Sequence, residues 1–254
     1  MSRVIAIVNQ KGGVGKTTTA INLGAALAAL DRKVAIVDLD PQANATSGLG
    51  FSRHEEGVSS YDVLAGTPID GAIRPTEFPN LSLLPSRRDL VGAEIELVSQ
   101  EGREHRLREA LGPARAAFPY IFVDSPPSLS LLTVNALSAS DGLLVPVQTE
   151  YFALEGLSEL LETVERVRRS FNPLLTIEGI VLTMYDERTN LARQVADDIR
   201  KHFGDLVYDT VIPRNIRLGE APSFGKPVLA YDIKSRGAES YLSLAREFLR
   251  REGR

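Results

Sequence analysis

The sequence predicts an α/β fold, with a mostly parallel, doubly wound sheet and helices on both of its faces. Short apolar runs alternate along the chain with stretches of helical periodicity, as expected for successive strand–helix–strand units. Three of the apolar runs, ending at Val8, Val37 and Val123, are followed directly by polar or glycine-rich residues. Because ligands of such sheets bind beyond the carboxyl ends of the strands, these three segments should meet in one crevice.

The chain opens with a predicted strand, a glycine-rich turn and a helix. The apolar run 4–8 precedes Asn9-Gln10-Lys11-Gly12-Gly13-Val14-Gly15-Lys16-Thr17-Thr18, and residues 19–27 continue with helical character. Glycines let the backbone turn tightly, so that several N–H groups point at one anion, and the helix adds its positive N-terminal end. Lys16 then supplies a charge for the β- and γ-phosphates, and the Thr17 hydroxyl is placed to bind Mg²⁺. The turn therefore predicts a nucleoside triphosphate site.

The later elements are predicted from the same two patterns. Strands are expected at 33–38, 81–85, 120–124, 142–147, 177–183 and, as a short element, at Val211-Ile212. Helices are expected near 89–98 and 103–117, between 124 and 142, and at 153–171, 190–203 and 238–251. The sequence has no internal repeat, low-complexity tract or linker, so a single domain over residues 1–254 is the economical interpretation.

Composition excludes several classes of protein. The chain has no cysteine, which excludes disulfides, thiolate zinc sites and iron–sulfur clusters. Its three histidines are scattered without metal-ligand spacing. The first apolar run is short and leads into the glycine-rich turn, so it indicates a core strand and not a signal peptide. No apolar stretch approaches the roughly 20 residues that span a bilayer, and a cytoplasmic protein is expected.

Carboxylates follow two further predicted strands. Tyr120 to Asp124 has the form of a Walker B strand, whose final aspartate binds Mg²⁺, usually through water. Asp38 and Asp40 follow the strand that ends at Val37. A crevice that collects the glycine-rich turn and three carboxylates has what a magnesium–nucleotide site requires. The alternatives are an Asp124 that caps the next turn and an Asp40-Pro41 pair that only forms a turn.

The glycine-rich turn departs from the usual phosphate-loop pattern. G-x-x-x-x-G-K-[ST] needs glycine at position 10, where this chain has Gln10, and a second lysine, Lys11, lies inside the loop. With these residues the chain resembles the deviant Walker A ATPases of the ParA/MinD family, which have a P-loop NTPase fold and an extra "signature" lysine. The resemblance implies an ATP-dependent homodimer in which Lys11 contacts the nucleotide of the other subunit. A second lysine beside its own nucleotide would largely duplicate Lys16.

The resemblance also implies roles for residues that follow the strands. Asp40 corresponds to the residue that positions the attacking water, and Asp38 lies near the metal. Catalysis is therefore assigned to Lys11, Lys16 and Asp40, and the Mg²⁺ site to Thr17, Asp38, Asp40 and Asp124. Ile212 to Asn215 resembles the segment that faces adenine, so Met184, Pro213 and Asn215 are assigned to the base of ATP. By residue chemistry alone this segment is equally a strand that ends in a proline turn.

A DNA contact requires a local basic patch, because the net charge of −4 is not that of a typical nucleic-acid-binding protein. Basic residues slightly outnumber acidic ones over 178–254, although scattered arginines are usually solvated charges on exposed loops. Segments 146–157, 188–191 and 212–227 resemble the Soj-like chromosomal ParA proteins, with similarity over essentially the whole chain. This implies contacts with DNA phosphates that have no sequence preference. The predicted contacts are Arg188, Arg217, Lys234 and Arg236.

The resemblance implies a functional cycle. ATP drives dimer formation, the dimer binds double-stranded DNA and becomes nucleoid-associated, and a ParB-type partner with a basic N-terminal peptide stimulates slow hydrolysis. Larger relatives carry an N-terminal helix-turn-helix domain, which is not expected here because the first strand starts at residue 3 or 4.

Two alternative functions stay open at this point. One is a MinD-like division regulator, which needs an amphipathic membrane-binding helix at the C-terminus, although the final helix suits packing on the domain equally well and no membrane contact is expected. The other is a metabolic phosphotransferase with a small-molecule acceptor.

Overall fold

A computed structural model describes residues 2–54 and 56–252. Its strands are β1 (Arg3–Ile7), β2 (Val34–Asp38), β3 (Arg74–Pro75), β4 (Leu81–Leu84), β5 (Tyr120–Asp124), β6 (Gly142–Gln148) and β7 (Thr176–Thr183). They form one seven-stranded sheet in the order β3-β4-β2-β5-β1-β6-β7. The pairing of β3 with β4 is antiparallel, and the pairings from β4 to β7 are parallel. The predicted mostly parallel sheet is confirmed.

Helices cover both faces of the sheet. They are α1 (Lys16–Ala29), α2 (Asn44–Gly48), α3 (Ser60–Leu64), α4 (Leu90–Glu96), α5 (Arg106–Leu111), α6 (Leu131–Ala139), α7 (Ala153–Ser170), α8 (Asn190–Phe203), α9 (Ile216–Glu220), α10 (Val228–Tyr231) and α11 (Arg236–Glu252). One apolar core contains residues of α5 to α8, and the other contains residues of α1 and α11. The doubly wound arrangement is therefore confirmed.

The central strands contribute side chains to both apolar cores. Val4 and Ala6 of β1 belong to one core, whereas Ile5 and Ile7 belong to the other. Successive side chains of a strand point to opposite faces, so a strand covered on both sides needs apolar residues at every position. This is why the central strands are continuous apolar runs in the sequence.

The predicted strand at Val211-Ile212 is wrong. The segment lies along β7, where the Ile212 N–H donates to the Leu182 carbonyl (2.8 Å) and the Tyr185 N–H donates to the Ile212 carbonyl (3.0 Å). Pro213 follows and has no N–H to donate, so the pairing continues only as an isolated bridge between Tyr185 and Pro213.

Two predicted helices are shorter than expected. The one predicted at 103–117 consists of a 3₁₀ turn at Arg103–His105, α5, and a second 3₁₀ turn at Pro113–Ala116. Pro113 breaks it because proline lacks the N–H that continues a helix. The one predicted at 89–98 is α4 followed by a 3₁₀ turn at Leu97–Ser99. The short elements α2, α3, α9, α10 and β3 were not predicted, since so few residues show no periodicity.

Within residues 2–54 and 56–252, none of the helices is both long enough and apolar enough to cross a membrane.

Candidate nucleotide site

The glycine-rich turn lies between β1 and α1, at the carboxyl edge of the sheet. Gly13 and Gly15 have φ angles of 76° and 91°, in the left-handed region where a side chain is strained. The turn is anchored to the end of β7, because the Thr183 hydroxyl donates to the Val14 carbonyl at 2.8 Å. α1 begins directly after Gly15 without a side-chain cap, so its first N–H groups are free to bind an anion.

The two lysines of the turn lie in different environments. Lys16 is buried, and its Nζ donates to the Lys11 carbonyl oxygen at 3.1 Å. Burial lowers the pKa of Lys16, while the charges of Asp124 and Asp40 act to raise it. The Lys11 side chain is 46% exposed, and its Nζ forms an ion pair with Glu150 Oε2 at 2.6 Å. The Lys16 ammonium is therefore held by the backbone of its own glycine-rich turn, whereas the Lys11 ammonium is held by Glu150.

The register of the sheet brings two predicted carboxylates together. Asp38 of β2 lies beside Asp124 of β5, and Asp124 lies beside Ile7, the last residue of β1. Both aspartates are completely buried. Burial raises the pKa of Asp124 well above its usual value and the charge of Asp38 raises it further, while Thr17 and Lys16 act to lower it. The ends of β1, β2 and β5 are therefore adjacent in space, as the sequence predicts.

Asp38 is held by hydrogen bonds from its own segment. Its Oδ2 accepts from the N–H and the hydroxyl of Thr46 at 2.8 and 2.6 Å, and its Oδ1 accepts from the Asp40 N–H at 3.2 Å. Burial raises the pKa of Asp38 to about 6, even though these bonds act to lower it. Because both oxygens already have partners, Asp38 is suited to hold metal-bound water and less suited to bind Mg²⁺ directly.

Asp124 provides the test of whether Mg²⁺ fits this crevice. Neither of its carboxylate oxygens has a hydrogen-bond partner among the described residues, and the Thr17 hydroxyl lies nearby without forming a well-aligned bond. Buried carboxylate oxygens need a cation or water as partners. Mg²⁺ keeps several waters and takes one or two protein oxygens, and the oxygens of Thr17 and Asp124 are suited to be those ligands. The described residues contain no group of three or more His, Cys, Asp or Glu side chains arranged to bind a metal.

An Asp124→Asn variant is expected to be more stable than the wild type without nucleotide, by about 1–2 kcal/mol, because a buried unpaired charge is removed. In EDTA at pH 8, thermal denaturation should show a midpoint a few degrees higher, since about 1 kcal/mol corresponds to ~2–4 °C at this size. Addition of Mg²⁺ and ATP should stabilise the wild type more than the variant. Asp197→Asn, at an exposed position of α8, is the control. A lower midpoint for Asp124→Asn in EDTA contradicts the assignment.

Asp40 is positioned from two sides. It is 6% exposed, and its Oδ1 accepts from the Gln42 N–H at 2.9 Å. Its carbonyl oxygen accepts from the Ser86 hydroxyl at 2.8 Å, and the Ser86 N–H donates to Thr46 Oγ1 at 2.8 Å. Sequence reasoning missed Thr46 and Ser86. Ser86 could have been identified from the sequence, because it directly follows the predicted strand 81–85 and so lies at the same edge of the sheet as Asp40.

The residues predicted to face adenine line one cavity of about 200 Å³. Met184, Pro213 and Asn215 lie in its wall together with Gly15 and Thr18, so the cavity adjoins the phosphate loop. Asn215 caps α9, with its Oδ1 accepting from the Arg217 N–H at 3.0 Å. The wall also contains residues that sequence reasoning missed: Thr183, Leu218 and Tyr241.

The predicted DNA contacts are exposed and lie near the N-terminal end of α11. Arg188 and Arg236 line a cleft of about 600 Å³, and Arg217 is ion-paired with Asp232, two residues before Lys234. Carboxylates already engage two of these arginines: Arg188 pairs with Asp186 at 2.8 Å, and Arg217 pairs with Glu220 at 2.7 Å. A phosphate must compete with these carboxylates. Arg214, another basic residue of this region, also lines the cleft.

Comparison with known proteins identifies the family. Residues 2–177 match a family model described as an AAA domain. The chromosome partitioning protein ParA of Caulobacter vibrioides is 58% identical over 253 residues, which cover 98% of this chain and 95% of that protein. The chain belongs to the ParA/Soj family of chromosome-partitioning ATPases. The sporulation initiation inhibitor protein Soj of Bacillus subtilis is 54% identical over 248 residues, 97% of this chain and 98% of that protein.

Solved structures place this ParA/Soj-family chain among the P-loop ATPases. Cobyrinic acid a,c-diamide synthase from Mycobacterium smegmatis, solved with an ATP analogue and magnesium, matches with a TM-score of 0.87 and 38% identity. The match covers 100% of this chain and 98% of that protein. The resemblance to the ParA/Soj family and the predicted fold class are therefore confirmed.

Proposed function

We propose that this ParA/Soj-family ATPase is an ATP-dependent switch in DNA segregation, built as one domain over residues 1–254. With ATP and Mg²⁺ bound, two subunits close over their nucleotides, and the dimer binds double-stranded DNA without sequence preference on the nucleoid. Slow ATP hydrolysis, stimulated by a ParB-type partner, returns the protein to monomers.

The crevice supports a defined position for Mg²⁺ and ATP. Residues 11–18 would hold the triphosphate, the 200 Å³ cavity would take the base, and Thr17 and Asp124 would hold Mg²⁺. Phosphoryl transfer depends mainly on positioning and on stabilising charge. Lys16 and Mg²⁺ supply that charge, and Asp40 orients the attacking water.

The orientation of Lys11 is the observation that carries the dimer proposal. Its Nζ does not contact the phosphate loop of its own subunit but lies outside, paired with Glu150. An exposed ion pair contributes at most about 1 kcal/mol, so a triphosphate brought by a second subunit displaces Glu150 readily. Charge-assisted contact with phosphate then makes dimer formation dependent on ATP.

The DNA contacts lie at the same edge of the sheet as the nucleotide. The opposite end of α11 contacts the start of β1, where Arg3 Nη1 bonds Glu252 Oε1 at 2.8 Å, so the Arg236 end lies at the carboxyl edge. One subunit offers few phosphate contacts, and a dimer doubles them on a single duplex. ATP therefore controls DNA affinity through the dimer.

Arg236→Ala is expected to weaken DNA binding by the ATP-bound dimer without changing dimer formation. Each lost phosphate contact lowers the slope of log affinity against log salt by about 0.9, so two subunits lose about 1.8. Fluorescence anisotropy with a random-sequence duplex at several salt concentrations measures this slope. Arg32→Ala removes the same charge at the opposite edge of the sheet and should leave the slope unchanged. An unchanged slope for Arg236→Ala would mean that Arg236 does not contact DNA phosphates.

A MinD-like membrane function is less well supported than a DNA-segregation switch. The apolar face of α11 is packed in the core, with Tyr241, Leu244 and Phe248 fully buried. The apolar face that a membrane-binding helix needs is therefore already packed against the domain.

A metabolic role is also less well supported than DNA segregation. The match to the M. smegmatis synthase shows a shared fold, but the partitioning relatives are more similar, at 54–58% identity.

The proposed function is tested by three assays, each run with and without ATP. Sedimentation equilibrium should show monomers without nucleotide and dimers with ATP and Mg²⁺, and a gel shift with non-specific duplex DNA should appear only with ATP. Sedimentation with anionic liposomes should show no ATP-dependent binding. Liposome binding without a DNA shift supports the MinD-like alternative.

A further inference from the structure

Two consecutive side chains attach the start of the phosphate loop to β6 and α7. Asn9 Nδ2 donates to the Pro146 carbonyl of β6 at 2.8 Å, and Gln10 Nε2 donates to the Thr163 hydroxyl oxygen of α7 at 3.1 Å. Asn9 and Thr163 are buried, at 6% and 3% exposure. The partners are 137 and 153 residues apart in the chain. Both bonds therefore fix the start of the loop relative to a distant part of the domain.

Gln10 occupies the position where the usual phosphate-loop pattern has glycine. Its φ angle lies outside the left-handed region, so the backbone at this position does not require glycine. A glycine here would offer no side chain to bond α7, and it would let the chain move more freely. The amide of Gln10 thus adds an attachment that the usual pattern lacks.

Lys11 directly follows these two attached residues. Its N–H donates to Asn9 Oδ1 at 2.9 Å, so the same buried asparagine also directs the backbone of Lys11. Beyond Lys11 the loop is open, because a Cβ placed at Gly12 or Gly13 would meet nothing within 4 Å. The Lys11 carbonyl accepts from Lys16 Nζ, an ammonium for which the triphosphate competes under the proposed function. The position of Lys11 is therefore set mainly by the residues that precede it.

A lysine that has to reach a second subunit benefits from a fixed starting point. Ordering a long side chain on a mobile loop costs conformational entropy, and holding the loop in place beforehand lowers that cost. The Lys11 side chain is half exposed, and its exposed ion pair with Glu150 is weak enough to be exchanged for another partner. The bond between Gln10 and Thr163 can therefore hold the backbone while the ammonium stays free to change partners.

We propose that Gln10 is a positioning residue for ATP-dependent dimer formation and that it acts through its bond to Thr163. The bond holds the start of the phosphate loop on α7, so that the Lys11 side chain reaches the nucleotide of the second subunit from a fixed point. The inference rests on the proposed function, because it requires a dimer in which Lys11 contacts the nucleotide of the other subunit.

Removal of either end of this bond should weaken the dimer to the same extent. Gln10→Met keeps the length of the side chain and loses the donor, whereas Thr163→Val keeps the shape of the side chain and loses the acceptor. Each variant should raise the dissociation constant of the dimer about tenfold, as expected when one neutral hydrogen bond is lost in each of two subunits. Sedimentation equilibrium with Mg²⁺ and a slowly hydrolysed ATP analogue measures this constant.

A double variant shows whether the two residues act through one bond. Gln10→Met combined with Thr163→Val should form dimers no more weakly than either single variant, because the second change has no bond left to remove. Thr163→Ser keeps the hydroxyl and should form dimers as the wild type does. Thr163 is buried and cannot itself touch a second subunit, so its effect on the dimer has to pass through its contacts within its own subunit.

Three controls separate positioning from a structural defect. Arg166 Nη2 lies 3.4 Å from the same Thr163 oxygen, and Arg166→Ala should leave the dimer unchanged. Gln194→Met makes the matched change at an exposed position of α8 and should also have no effect. ATP affinity of the monomer, measured by equilibrium dialysis at low protein concentration, should equal that of the wild type in every variant. A structural defect of the loop would lower it.

The outcomes distinguish this inference from the proposed function. A wild type that stays monomeric with the analogue contradicts the proposed function and this inference with it. If Lys11→Ala loses the dimer while Gln10→Met keeps it, only the positioning role is wrong. Weak dimers in Gln10→Met but normal dimers in Thr163→Val would mean that Gln10 contacts the second subunit directly. Additive losses in the double variant, or an equal loss of ATP affinity, also overturn the inference.

Discussion

An Asp40→Ala variant is expected to bind ATP and form dimers like the wild type but to hydrolyse ATP at least ~100-fold more slowly. A carboxylate that orients water and accepts its proton contributes about 10²–10⁴-fold to such a reaction. The variant keeps Lys16, Thr17 and Asp124, so nucleotide and Mg²⁺ should still bind. Single-turnover phosphate release measures the chemical step, and light scattering with ATP measures the dimer.

Two control variants decide what the Asp40 carboxylate does. Asp40→Asn keeps the oxygen that accepts from the Gln42 N–H and removes the charge, so it should lose hydrolysis to a similar extent. Asp197→Ala removes an exposed carboxylate from α8 and should keep full turnover. If Asp40→Ala hydrolyses ATP normally, Asp40-Pro41 is only a turn and another residue orients the water.

The central elements and the phosphate site follow from sequence because each depends on local signals. Apart from Arg3 at the start of β1 and the terminal Asp38 and Asp124, the residues of β1, β2 and β5 belong to the two apolar cores, because both faces of these strands are covered. In a parallel sheet, the carboxyl ends of the strands share an edge, so the residues that follow each strand are neighbours in space. This is why Asp38 and Asp124 could be placed beside the glycine-rich turn without a structure.

The parts that sequence did not predict depend on contacts between distant segments. Glu150 is 139 residues from Lys11, and no local pattern indicates their ion pair. The Ser86 contacts with Asp40 and Thr46 join the segment after β4 to the segment after β2 in the same way. Helical periodicity predicted α4 but not which of its two apolar sides faces solvent. The carboxylate partners of Arg188 and Arg217 are local by contrast: Asp186 is two residues from Arg188 in a turn, and Glu220 is three residues from Arg217 on α9.

A Lys11→Ala variant is expected to bind ATP with nearly wild-type affinity and to stay monomeric when ATP is saturating. Its side chain lies outside the loop that holds the nucleotide, and Lys16 remains in place. The dimer holds two nucleotides, and the variant loses one charge-assisted contact to the phosphates of each. Each lost contact removes about 1.5–3 kcal/mol of dimer stability, so the two together shift the dissociation constant by at least ~100-fold. Equilibrium dialysis measures ATP affinity, and sedimentation equilibrium measures the dimer.

Glu150→Gln separates the trans contact from the ion pair within one subunit. It frees Lys11 and leaves its charge, so dimers should form at the same or a lower protein concentration, by about 30-fold at most, because each of the two subunits loses an exposed pair worth at most about 1 kcal/mol. Lys11→Ala and Glu150→Gln break the same ion pair, yet they are expected to change dimer formation in opposite directions. Equal loss of the dimer in both variants would mean that the Lys11–Glu150 pair itself builds the interface. Normal dimers in Lys11→Ala would mean that this lysine does not reach the second nucleotide.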